Sequence, residues 1–141
     1  MKELLAPAGS SEAFYAAVSN GANAIYLGLS TFSARAYAEN FSVDTLSEFV
    51  NYAHLRNVKV YVAMNTIVKD EEIDSFIENL LFAWNAGADA IILQDVFLGK
   101  YIHERYPEIV LHLSTQAGVC NVYGAKYAKS CGFSRVILAR E

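Results

Sequence analysis

Short apolar runs and stretches of helix-spaced apolar residues alternate along this chain. The runs cover residues 3–6, 24–27, 58–64, 90–93, 110–117 and 135–139, and most are too short and too apolar for anything but strands buried on both faces. Between them lie five stripes at helical spacing. Phe14, Ala17 and Val18 make the first, and Leu46, Phe49, Val50 and Ala53 the second. The third is the clearest: Ile73, Phe76, Ile77, Leu80, Leu81 and Trp84 follow an acidic Asp70-Glu71-Glu72 start, as expected for carboxylates near a helix N-terminus. A short helix through Tyr101 and Ile102 must stop before Pro107. A fifth helix is expected to carry Val119, Val122 and Tyr123.

The punctuation repeats. Gly21-Ala22-Asn23-Ala24-Ile25-Tyr26-Leu27 is echoed by Gly87-Ala88-Asp89-Ala90-Ile91-Ile92-Leu93, and more weakly by Gly132-Phe133-Ser134-Arg135-Val136-Ile137-Leu138. A glycine past a helix takes the left-handed position without steric cost, so each echo reads as a helix-to-strand junction. Gly9 or Ser10 is placed to cap the first helix, with Glu12 in its first turn, and Ser42 or Asp44 to start the second.

Six strands alternating with five helices, linked by right-handed crossovers, make an α/β fold with a parallel sheet. No Gly-x-Gly-x-x-Gly follows the first strand, so a dinucleotide site is poorly supported. The favoured fold is a partial (β/α) TIM-barrel-like sheet of about six strands. A whole barrel needs eight strands and roughly 250 residues. Residues 1–141 are therefore expected to be a single domain, the N-terminal barrel segment of a longer protein. Its first and sixth strands would be open edges, which predicts a homo-oligomer.

Composition narrows the function classes. Eleven Lys and Arg against fifteen Asp and Glu give a net charge of −4, without the clustered basic residues that a nucleic-acid partner would require of this segment alone. No apolar run is long enough for a membrane span, and the N-terminus does not resemble a secretory signal; a cytoplasmic location is expected. Cys120 and Cys131 are read as the two ends of one helix, about 16 Å apart, too far for a disulfide or a shared metal. No metal site and no cofactor of this segment are predicted.

In a parallel barrel the chemistry lies beyond the C-terminal strand ends. Here those ends supply Asn65, Asp95, Ser114, Gln116, Arg140 and Glu141. Asp95 and Glu141 are the candidate acid–base groups, although either can also cap the next helix. Asn65, Ser114, Gln116 and Arg140 are candidate substrate-binding groups, Arg140 as a bidentate clamp for an anion. His112, Ser114 and Gln116 share one strand face. The His112–Ser114 separation of about 7 Å excludes a nucleophile–base pair, and His112 reads as a satisfied core histidine. His54 and His103 sit on helices, away from the strand ends. A long loop from Gly28 to Phe41 places Arg35 among Phe32, Tyr37 and Phe41, over the barrel mouth or packed on its rim.

Taken together, Glu3-Leu4-Leu5-Ala6-Pro7-Ala8-Gly9-Ser10, Phe32-Ser33-Ala34-Arg35-Ala36, Asn40-Phe41, Asn65-Thr66, His112-Leu113-Ser114-Thr115-Gln116-Ala117 and Leu138-Ala139-Arg140-Glu141 resemble the collagenase-like peptidases of unassigned catalytic type, family thirty-two of that class. The resemblance implies a peptidase acting on a peptide or other small substrate, with this segment inactive alone. As an alternative to this leading reading, it implies oxygen-independent hydroxylation of tRNA, ribosomal RNA or quinone precursors. Some such members carry a cysteine-bound iron–sulfur cluster in the full-length protein, and Cys120 and Cys131 do not match the cluster cysteines by placement. A third reading is a non-catalytic scaffold or binding segment.

Overall fold

A computed structural model describes residues 2–34 and 41–140. Six strands, β1 (Leu5–Ala8), β2 (Ala24–Gly28), β3 (Lys59–Met64), β4 (Ala90–Leu93), β5 (Leu111–Leu113) and β6 (Phe133–Val136), alternate with five helices. These are α1 (Ser11–Ser19), α2 (Val43–His54), α3 (Ile73–Asn85), α4 (Val96–Arg105) and α5 (Val122–Ser130). The strands form one parallel sheet in the order β1-β2-β3-β4-β5-β6. The expected α/β architecture is present, and the sheet is not closed.

The caps explain where the helices start. Ser10 rather than Gly9 caps α1, its side chain accepting from the Ala13 N–H; Ser42 does the same for α2 through Thr45. The Asp70–Glu72 acidic start forms a 3₁₀ turn leading into α3. Gly21, Gly87 and Gly132 all have φ near +90°, so the three echoes are the helix-ending turns that the repeat predicted.

Strands β1, β5 and β6 differ most from the sequence reading: β5 keeps only Leu111–Leu113 of the expected 110–117, since Ser114 caps a 3₁₀ turn, and β6 ends at Val136 rather than Ala139. β1 begins at Leu5 because Leu4 is held in a loop closure, its N–H donating to Asn23 Oδ1 at 2.8 Å. It runs through Pro7 because an edge strand has one side on which no donor is required. β6 begins at Phe133 instead of Arg135. The β5–β6 register pairs Leu111 with Phe133 but His112 with Arg135, so Ser134 is an extra residue, a bulge. Its hydroxyl donates to the Leu111 carbonyl. The bulge resets the alternation: Phe133 and Val136 both pack on the helix side, and Arg135 turns inward.

The fifth helix also departs from expectation. Asn121 caps it, accepting from the Tyr123 and Gly124 N–H groups. That fixes Val122 and Tyr123 in the first turn on the outer side, 57% and 79% exposed. Ala128 faces inward in their place, with Cys131 buried just beyond the helix and Cys120 exposed before it.

The main core lies between the helices and the outer sheet face, built on Ile25, Leu27, Val60, Val62, Met64, Ile91, Leu93, Leu111 and Leu113 with Phe14, Leu46, Phe76, Leu80 and Ile102 from the helices. A smaller cluster, Ala24, Tyr61, Ala63, Ala90 and Ile92, fills the concave face. Two glycines mark where α4 meets the start of β6. A Cβ on Gly99 would fall 2.2 Å from the Phe133 ring, and one on Gly132 2.2 Å from the His103 ring. Each glycine leaves room for the other element's aromatic side chain.

Candidate functional site

Above the concave cluster, at the C-terminal strand ends, lies a cavity of about 350 Å³. Its walls are Leu5, Tyr26, Ala63, Ile92 and Ile137; its polar groups come from Ser33, Asn65, Ser114, Thr115 and Gln116. Apolar walls with a few convergent polar groups are the usual make-up of a small-molecule site.

Three connections hold these groups. Ser114 ends β5 and caps a 3₁₀ turn over Thr115–Ala117, its Oγ accepting from the Gln116 N–H at 3.3 Å. Asn65 ends β3; its Oδ1 accepts from the Ala34 N–H at 3.2 Å and its Nδ2 donates to Ser114 Oγ at 3.4 Å. The described start of the β2–α2 loop is thereby tied to the mouth. It is also anchored to α3, by Thr31 donating to Asn79 and by an edge-on contact of Phe32 with Phe76, ring centroids 5.1 Å apart. So Ser33 and Ala34 line the mouth while Phe32 packs against α3; Arg35 and Tyr37, expected over the mouth or on the rim, lie outside the described residues.

Below the cavity the barrel interior is charged. The Arg135 guanidinium donates to Glu3 Oε1 at 2.6 Å, joining the approach to β1 with β6 across the concave face. Tyr61 donates its hydroxyl to Glu3 Oε2 at 3.0 Å. The Arg135 hydrogen bond holds the Glu3 carboxyl below the usual carboxylate range. Burial, reinforced by the Glu3 hydrogen bond, raises the Tyr61 hydroxyl pKa. His112 sits edge-on to the Tyr61 ring, centroids 4.8 Å apart. Burial first, and the Arg135 charge second, push His112 down to about 4. Its Nδ1 is buried without a hydrogen-bond partner. The expectation of a satisfied core histidine is therefore corrected: it is a core histidine, but an unsatisfied one.

Asn65, Ser114 and Gln116 are brought together at the cavity, as their strand-end positions predicted. Asp95 is not with them. Its Oδ1 accepts from the Phe97 and Leu98 N–H groups as the cap of α4, the helix-capping option weighed for it above. Arg140 is exposed and lines no part of the cavity, and Glu141 lies outside the described residues. Among the described residues no three His, Cys, Asp or Glu side chains come together to hold a metal. No described helix is long and apolar enough to cross a membrane. Sequence reasoning missed Tyr26 and the Glu3–Tyr61–Arg135 floor. Tyr26 had a signal, since it is the one aromatic side chain in an otherwise aliphatic strand.

Comparison with known proteins places this geometry among relatives. The profile described as Peptidase family U32 matches residues 9–141. A 23S rRNA 5-hydroxycytidine synthase of Escherichia coli (strain K12) is 36% identical over 139 residues, 99% of this chain and 21% of that protein. The tRNA hydroxylation protein P of the same organism is 35% identical over 139 residues, 99% of this chain and 31% of that protein. The chain thus spans about a fifth to a third of the length of these relatives. The solved structure of a U32 peptidase superposes with a TM-score of 0.74 over 98% of this chain and 58% of that one, at 16% identity, a likeness of fold.

Proposed function

Because the chain belongs to peptidase family U32, we propose that it forms the base-binding part of an enzyme that hydroxylates a pyrimidine of RNA. The observation that carries this reading is the cavity lining: apolar walls with Tyr26, and neutral hydrogen-bonding groups from Asn65, Ser114 and Gln116. A base taken out of its stack is read by hydrogen bonds to its edge and by packing against aromatic and apolar side chains. Relatives named for hydroxylation of rRNA and tRNA support the same direction. Peptide hydrolysis would need a nucleophile–base pair, a metal-bound water or paired carboxylates. The described cavity residues supply none of these, and Asp95 is committed to its helix cap.

In this proposal the oxygen source and any redox group are held by other parts of the full-length protein, as is most of the phosphate-neutralising surface. The net charge of −4 makes this segment a poor RNA anchor by itself. Arg35 and Arg140 remain the candidates here for contact with an anionic backbone.

The test is complementation. The full-length gene is expressed in a bacterium deleted for its own tRNA hydroxylation protein, and digested RNA is analysed by mass spectrometry. Reappearance of a hydroxylated pyrimidine nucleoside is expected. Unaltered RNA, together with gelatin or peptide cleavage by the purified protein, would move the assignment to the peptidase reading.

A further inference from the structure

Resting on the base-binding reading, we infer that Ser114 is an obligate hydrogen-bond donor to a carbonyl oxygen of the bound base, and that Asn65 is the residue that makes it one. The argument is a count of lone pairs and protons. The Ala34 backbone N–H can only donate, so the side-chain amide of Asn65 must turn its Oδ1 toward it. That orientation leaves Asn65 Nδ2 facing Ser114 Oγ, where it too can only donate. The Gln116 backbone N–H is a second donor to the same oxygen. With both lone pairs of Oγ engaged, the hydroxyl proton is all that Ser114 has left to offer. Its side chain lines the cavity, and among the described residues that proton makes no hydrogen bond.

Ser114 is 3% exposed, and a buried hydroxyl proton without a partner is costly. The cavity is therefore built for an oxygen acceptor at this point, and a ligand offering a donor N–H there would meet a second proton. Gln116, exposed at the cavity and with no side-chain hydrogen bond among the described residues, supplies an adjacent donor and acceptor on a planar group. A carbonyl flanked by a ring nitrogen, the edge common to pyrimidine bases, meets this pair. Asn65 also lines the cavity, and its effect on the choice of base is exerted through Ser114. It acts as a positioning and specificity residue, and the loop it holds through Ala34 is the means by which its polarity is set.

The substitution that isolates this role is Asn65→Asp. One carboxylate oxygen still accepts from Ala34, so the loop stays tied. The other is an acceptor, which draws the Ser114 proton away from the cavity. The full-length protein is tested by fluorescence anisotropy with three labelled RNA oligomers carrying uridine, 2-thiouridine or 4-thiouridine at the target position. Sulfur is a much weaker acceptor than oxygen. The wild type is expected to bind the uridine oligomer about tenfold more tightly than one of the two thio oligomers, the size of one good hydrogen bond. Asn65→Asp and Ser114→Ala are expected to bring that ratio close to one, and Ser114→Thr to keep it. An added negative charge near RNA weakens all three oligomers alike and leaves the ratio unaffected. A ratio unchanged in Asn65→Asp and Ser114→Ala, or no discrimination in the wild type, overturns the inference while base binding stands. No binding of any oligomer overturns the base-binding reading and this assignment with it.

Discussion

A histidine whose ring nitrogen is buried without a partner is stable only while neutral, and His112 is in that position. Its native pKa of about 4 lies below the ordinary 6.5. The unfolded chain therefore takes up a proton between those values that the folded chain refuses. Its contribution is fully present above about pH 6.5 and is lost as pH falls toward 4, an effect of order 3 kcal/mol. Glu3 acts in a lower window: its carboxyl is held down by Arg135, so its share is lost only as pH drops through the carboxylate range. Urea midpoints measured across pH 4.5 to 6.5 should fall steeply on acidification in the wild type. His112→Phe should flatten that slope, and an unchanged slope would place the titrating group elsewhere. At this scale the cavity residues were legible in the sequence, because Asn65, Ser114 and Gln116 stand where apolar strands turn polar. The floor was not, since Glu3 and Arg135 are 132 positions apart and each alone looks like an ordinary surface charge.

Among the elements, α4 meets the start of β6 with no room for a side chain at Gly99. Gly99 lies under the Phe133 ring and Gly132 under the His103 ring, and Phe133 is buried, 3% exposed. Alanine in a helix interior normally gains up to about 1 kcal/mol over glycine. At Gly99 the clash with a buried ring outweighs it, as overpacked cores lose about 1–3 kcal/mol. Gly99→Ala should thus lower the urea midpoint, and the double change with Phe133→Leu should recover most of the loss. Recovery in neither variant would mean the ring is not the obstacle. The helix-to-strand junctions were readable from their glycines because a left-handed turn leaves a mark in the sequence. The Ser134 bulge and the outward turn of Val122 and Tyr123 were not. Both are decided by hydrogen bonds, to Leu111 and from the Asn121 cap, that override hydrophobic periodicity.

For the molecule as a whole, the alternation of runs and stripes was enough to foresee six parallel strands, while what bridges the two edges of the sheet was beyond it. Every strand pairs with the strand before or after it in the chain, so the sheet can be laid down in the order in which a ribosome delivers it. The Glu3–Arg135 bridge is the exception, because its two halves are 132 positions apart and the second is made only after the first five strands. A contact that forms after the rate-limiting step slows unfolding without hastening folding. With both side chains about a third exposed, the bridge contributes about 1 kcal/mol or less. Glu3→Gln should therefore speed unfolding a few-fold in stopped-flow measurements and leave refolding as it was; a slower refolding limb would show that the two edges meet early. In kinetic terms the ion pair acts as a clasp, fastened once the sixth strand is in place and holding β1 and β6 to a common lifetime.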